Sequence, residues 1–214
     1  MARGAMRGFT MVVEPTAKDA PVPDDLLVAR TCEGDTESFA ILAERYKRPV
    51  YNLAYRMLGN AADAEDAAQE TFVRAYTRLH SYQPGAKFGS WLLAITSHWC
   101  IDHLRRRRTV SLEAVQGTLP LPAPGEYPDE LAVRAEGRRE VQRWLATLPE
   151  SYRLVLILRY WHDLSYNEIS ETIGQPVSTV RMRLFRARGM LQALAARESE
   201  PQSRRHHQLR RRVA

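Results

Sequence analysis

The sequence predicts an all-α protein, built as two helical domains joined by an extended proline-rich linker. Three observations carry this. Helical signals run from Asp24 to about Arg108, with proline only at Pro49 and Pro84. The stretch Thr109–Glu130 then brings Pro120, Pro122, Pro124 and Pro128 close together. Proline removes an amide donor and disfavours helix in the residue before it, so this stretch reads as linker. Helical patterning resumes near Leu131 and lasts to about Arg197, and no strand-like alternation survives more than a few residues.

The expected organisation is a flexible N-terminal extension over 1–23, a first domain over 24–108, a linker over 109–135, a second domain over 136–197 and a basic, disordered tail over 198–214. The extension mixes Pro, Ala, Gly and charges without periodicity. The tail, "SRRHHQLRRRVA", is a charge run with few apolar residues.

Composition narrows the function classes. Of 214 residues, 44% are hydrophobic, enough for a buried core. Lys plus Arg outnumber Asp plus Glu by 31 to 25, a net +6, and Lys18, Lys47 and Lys87 are the only lysines. Arginine suits bidentate phosphate and base contacts, although a GC-rich coding sequence produces the same bias. Cys32 and Cys100 stand far apart in no metal-ligand spacing, which disfavours a disulfide framework or zinc site and fits a reducing compartment. The N-terminus lacks the apolar stretch of a signal peptide. No run approaches the roughly 18 apolar residues of a membrane span. The expectation is a cytoplasmic protein without membrane insertion, metal or cofactor. Its serines and histidines lack the partners that catalysis requires, so no catalytic residue is assigned.

The clearest local motif is a helix-turn-helix. "SYNE", Ser165–Glu168, fits a capping box. Ile169 and Ile173 supply the buried side of the helix it opens. Gly174 suits a left-handed residue past the helix end, and Pro176 stops continuation. Ser178 is placed to cap the next helix. "LPESYRLVLILRYWHDL", Leu148–Leu164, supplies a preceding support helix whose Leu154, Val155, Ile157, Leu158 and Trp161 read as core. On a helical wheel Val180, Leu184, Ala187 and Leu191 form a narrow buried stripe flanked by Arg183 and Arg188. Arg181, Met182, Phe185 and Arg186 point the other way with Ser178. In a DNA-binding helix-turn-helix the second helix enters the major groove, where arginine pairs with guanine edges and apolar side chains meet thymine methyls. A helical hairpin whose Phe185 and Met182 pack elsewhere on the protein is the other reading.

"LPESYRLVLILRYWHDLSYNEISETIGQPVSTVRMRLFRARGML" resembles region 4 of the sigma-70 family, particularly its extracytoplasmic-function (ECF) class. "LLVARTCEGDTESFAILAERYKRPVYNLAYRMLGNAADAEDAAQETFVRAY", Leu26–Tyr76, resembles regions 2.1 to 2.2, and "YQPGAKFGSWLLAITSHWCIDHLRRRR", Tyr82–Arg108, resembles regions 2.3 and 2.4. Two resemblances in the family's order cover most of the chain.

The resemblance implies a promoter-directing subunit of bacterial RNA polymerase. Its partners would be core polymerase, through the β′ clamp helices and the β subunit, promoter DNA, and an anti-sigma factor. For core polymerase it implies Asp66, Gln69, Glu70 and Phe72 of "DAAQETF", the first three sharing a helix face. For the minus-10 element it implies Lys87 and Phe88 in the loop Gln83–Trp91, then His98, Trp99 and His103 as rings able to meet unpaired bases. Arg105 and Arg106 lead a basic run to Arg108 that would meet phosphates. Trp91 reads as core. For the minus-35 element the matching residues are Ser178, Thr179, Arg181, Met182, Phe185 and Arg186, with Arg183 and Arg188 as phosphate contacts. The family's usual Arg-Asn is Ser97-His98 here, and Met182 stands where relatives often carry Ser, so neither base preference carries over unchanged. An alternative from another class is a stand-alone helix-turn-helix regulator that binds operator half-sites as a dimer. An enzyme with an appended helix-turn-helix would need a catalytic constellation that the sequence lacks.

Overall fold

A computed structural model describes residues 22–83, 85–113 and 132–199. Most of the expected N-terminal extension, the four clustered prolines and most of the basic tail lie outside the described residues. What is described is helical: α1 Asp24–Cys32, α2 Thr36–Leu58, α3 Ala61–Thr77, a short 3-10 turn at Leu79–Ser81, α4 Phe88–Glu113, α5 Ala132–Thr147, α6 Glu150–Tyr160, α7 Tyr166–Ile173 and α8 Val177–Ser199. No strand occurs among the described residues, as the sequence predicts.

Local chemistry sets the boundaries. Asp35 caps α2 by accepting from the Glu37 and Ser38 amides at 3.0 and 3.3 Å. The Ser38 contacts hold its carboxyl below the usual range. The helix ends at Gly59, left-handed at φ 85°, a conformation glycine adopts without steric cost. Asn60 then caps α3 through the Asp63 amide at 2.7 Å.

α1 to α4 form the first domain. Leu27, Leu42, Val50, Phe88 and Leu92 fill one cluster; between α3 and α4 the buried Thr71 hydroxyl donates to the Thr96 oxygen at 3.3 Å, and the Thr96 hydroxyl donates to the Leu92 carbonyl at 2.9 Å. Cys100 is buried, which pushes its thiol up to about 12, whereas Cys32 is exposed.

At the linker, α4 continues to Glu113, past the end near Arg108 that the sequence suggests, and α5 begins at Ala132, next to Leu131 where helical patterning resumes. The two domains also pack on each other. The second core cluster is shared: Leu53, Met57, Leu93 and Trp99 of the first domain pack in it with Leu145, Leu154, Ile157, Leu158, Ile169 and Leu184 of the second. Trp161, read from sequence as core, is instead 39% exposed. It lies under the Arg56 guanidinium, 4.2 Å from the ring centroid.

Candidate nucleic-acid interface

α7 and α8 are placed by the capping signals of the sequence. Ser165 Oγ accepts from the Glu168 amide (3.3 Å), and the Glu168 carboxylate accepts from the Ser165 amide (2.8 Å), completing the capping box. Gly174 turns the chain at φ 62°. One detail differs: α8 starts at Val177, so Ser178 lies inside its first turn rather than capping it.

On α8, Val180, Leu184 and Ala187 are buried and Leu191 is partly buried. Arg181, Met182 and Arg186 are exposed with Ser178, and Phe185 is 78% exposed, the most open large hydrophobic side chain among those described. Thr179 and Arg183 sit at the edges of this face, half-buried. The other reading of the wheel, an outward pair packed elsewhere on the protein, does not hold for Phe185. Arg188 is engaged: its Nε donates to the Tyr160 hydroxyl at 2.9 Å, and its guanidinium lies 5.7 Å from that ring's centroid.

The residues implied for the minus-10 element are arranged differently. Phe88 is 2% exposed, in edge contact with the rings of Tyr46 and Tyr82. Trp99 is 8% exposed, and the His103 ring stacks on it at 4.8 Å. His103 Nε2 also lies 3.6 Å from the Asp63 carboxylate. Phe88 and Trp99 are built into the core rather than turned outward, whereas His103 is half-buried on the surface of α4. Trp91 is partly buried against Tyr82 and Phe88, as a core residue should be.

Lys87 is exposed but paired with Glu168 across the domain boundary at 2.5 Å. This contact raises the lysine and, with the Ser165 bonds, holds the Glu168 carboxyl down to about 2. The basic run is divided. Arg107 pairs with Asp63 at 2.7 Å, Arg108 pairs with Glu150, and Arg105, Arg106 and His98 are exposed. His98 and Arg105 line a cleft of about 420 Å³ whose other wall carries Glu150, Gln175 and Arg183 of the second domain.

α3 presents a third surface. Asp66 and Gln69 are exposed, and Glu70 is half-buried, paired with Arg74 at 2.7 Å. Phe72 turns inward against the first core cluster. The same helix face continues into Val73 (58% exposed) and Tyr76 (46%), which sequence reasoning passed over. Their spacing of seven and ten residues from Asp66 is the signal that would have found them. Phe39 of α2 packs edge-on against Tyr76 at 5.0 Å. Among the described residues no group of His, Cys, Asp or Glu is placed to hold a metal ion, and no helix is long and apolar enough to cross a membrane.

Comparison with known proteins agrees with this layout. The family model described as Sigma-70 region 2 matches residues 42–110, and that described as Sigma-70, region 4 matches 138–191. The chain is 39% identical over 167 residues to the ECF RNA polymerase sigma factor SigW of Bacillus subtilis, covering 74% of this chain and 89% of that one. It is 35% identical over 188 residues to the ECF sigma factor SigE of Mycolicibacterium smegmatis, covering 87% and 72%. Among solved structures, CnrH in complex with the cytosolic domain of CnrY superposes with a TM-score of 0.63 at 26% identity, covering 82% of this chain and 99% of that one. RpoE of Bartonella quintana, in complex with the anti-sigma factor NepR, shares the fold at a TM-score of 0.61 and 21% identity, covering 78% and 99%.

Proposed function

The chain belongs to the ECF class of the sigma-70 family of RNA polymerase sigma factors, and we propose that it reads the minus-35 element of its promoters with α8 and engages core polymerase through α3. Directing polymerase to promoters and starting transcription there is the work of this family, and it is the function of this chain. The observation that carries the residue assignment is the division of α8 into a buried stripe and an opposite face, where Arg181 and Arg186 frame the open Phe185 and Met182. A major groove offers guanine acceptors to the arginines and thymine methyls to the apolar pair.

On α3 the exposed Asp66 and Gln69 form a polar, partly acidic patch, and Val73 and Tyr76 extend it with apolar area. A mixed patch of this kind fits the β′ clamp helices if they present basic and apolar side chains together. For the minus-10 element, Lys87, His98, Arg105 and Arg106 remain as direct contacts. The buried Phe88 and Trp99 support them by holding α4 in place, and the half-buried His103 stacks on Trp99 at the edge of that surface. The protein itself performs no bond-making step, because nucleotide addition belongs to the polymerase, and it works where polymerase works, in the cytoplasm. CnrH is held by the cytosolic domain of a second protein, and an anti-sigma factor is proposed as an inhibitory partner here as well.

Run-off transcription from a promoter library, with bacterial core polymerase present and this protein added or omitted, tests the reading. Transcripts that depend on the protein and share two spaced upstream elements are expected. A library that yields none, together with no association with core, would sink it.

A further inference from the structure

The loop that carries Lys87 is held from the N-terminal side of the domain. It turns at Gly85, left-handed at φ 90°, and the Ala86 amide donates back to the Gln83 carbonyl at 3.1 Å. Gly85, Ala86 and Lys87 are exposed and border a cavity of about 550 Å³, so little packing fixes them. Their position depends on hydrogen bonds, and these come from a tyrosine and from α1.

Tyr82 is 6% exposed, its ring edge-on to Phe88 and Trp91 at 5.7 and 5.6 Å. Its hydroxyl lies between two acceptors, Asp25 Oδ1 at 2.9 Å and the Ala86 carbonyl, and shares one proton between them. Burial, and then the Asp25 carboxylate, hold the phenol above its usual range, so that proton stays. One tie therefore runs from the first turn of α1 through Tyr82 to the backbone beside Lys87.

A second tie runs next to it. Asp24 accepts from the Tyr46 hydroxyl at 2.5 Å and from Arg45, both on α2. The Tyr46 ring lies edge-on to Phe88 at 5.4 Å. Gly89 presses on the same ring, since a Cβ there would stand 2.8 Å from Tyr46 Cε1. The start of α4 approaches α2 this closely because residue 89 has no side chain.

Carboxylates beside a DNA-reading loop repel phosphates, so Asp24 and Asp25 need another reason to stand there. We propose that Asp25 and Tyr82, backed by Asp24, Tyr46 and Gly89, are positioning residues. They form a frame that fixes the loop presenting Lys87, and so set base preference at the minus-10 element without touching DNA. This role rests on the assignment of Lys87 to that element.

The test uses the full-length chain with core polymerase and two promoter libraries, one randomised at the minus-10 element and one at the minus-35 element. Tyr82→Phe keeps the ring and removes the tie. Asp25→Ala removes the acceptor, whereas Asp25→Asn keeps a side-chain oxygen that can accept. Tyr82→Phe and Asp25→Ala should each narrow the ratio between the preferred and next-best minus-10 bases roughly two- to tenfold, the factor that one net hydrogen bond supports. Ratios at the minus-35 element should hold, and Asp25→Asn should stay near wild type. Gly89→Ala should shift the minus-10 ratio in the same direction by displacing Tyr46.

Unchanged minus-10 ratios in Tyr82→Phe and Asp25→Ala, with helicity intact by circular dichroism, would overturn the frame. A loss of transcription spread evenly over both libraries would do the same, because a merely structural role gives that pattern. So would an Asp25→Asn variant no better than Asp25→Ala. A wild type without core-dependent transcripts is a different failure: it would sink the promoter reading itself, and the role of the frame with it.

Discussion

α8 and α4 were both expected to carry DNA-facing residues, and they use their surfaces in opposite ways. α8 packs mainly on α6 and α7, which lie on one side of it, so its other side is free and the residues there are open. α4 touches α2, α3, α6 and α7. Its rings go into the core, and several of its cations pair with carboxylates of other helices. A helix with neighbours on one side can read a partner with the other, whereas a surrounded helix mostly positions what lies at its ends. The resemblance to the family identifies both helices, but burial decides which side chains on them are available.

Trp99 offers the strongest way to break this contrast. If it is structural, Trp99→Ala should destabilise the protein by about 3–5 kcal/mol, read by thermal or denaturant unfolding. Unchanged stability with impaired promoter opening would return Trp99 to the DNA surface.

His162 tests the seam between the two regions. Burial first, and then the Arg56 charge, push its imidazole down to about 4. It shares a cavity with Asp24, Asp25 and Lys87. A group with a depressed folded pKa contributes stability that is complete above the ordinary value near 6.5 and is lost as pH falls toward 4. The loss should total about 3 kcal/mol over that window. Titrating stability for wild type and His162→Asn between pH 7 and 4.5 checks this, since the variant should lack the extra slope.

Arg186→Ala should weaken binding to the preferred promoter by roughly 1–3 kcal/mol if it reads a guanine, and leave the melting temperature alone. A loss spread evenly over all DNA sequences would make it a phosphate contact. The smallest effect is expected at Ser165→Ala, about 1 kcal/mol from the lost cap. It should lower stability and leave base preference unchanged. A changed preference would show that the capping box sets the angle of α8.

Much of the second domain was legible in the sequence because its signals are local. The capping box, the left-handed Gly174 and the buried stripe of α8 each depend on residues within a few positions of one another. The first domain was less legible. Helical periodicity reports a single buried side, and α4 has several, so Phe88, Trp99 and His103 could be sorted only by their neighbours. The polar contacts between the domains left no trace for a similar reason. Gln142 donates to the carbonyls of Tyr55 and Arg56, and Arg153 to that of Met57; every residue carries a carbonyl, so no residue pattern on α2 announces them. Trp161 reads as core by type, yet its partner is a cation from a helix about a hundred residues earlier, beyond the reach of any local pattern.

The shared core has a consequence for how the molecule melts. Two domains on a tether unfold as two events, each with its own heat absorption. Here Leu53, Met57 and Trp99 share their surroundings with Leu154, Ile157 and Leu184, so neither half can lose its order without exposing the other's apolar surface. Calorimetry of the free chain should therefore record one transition, with calorimetric and van't Hoff enthalpies in agreement. When the seam is parted, that single peak should divide in two.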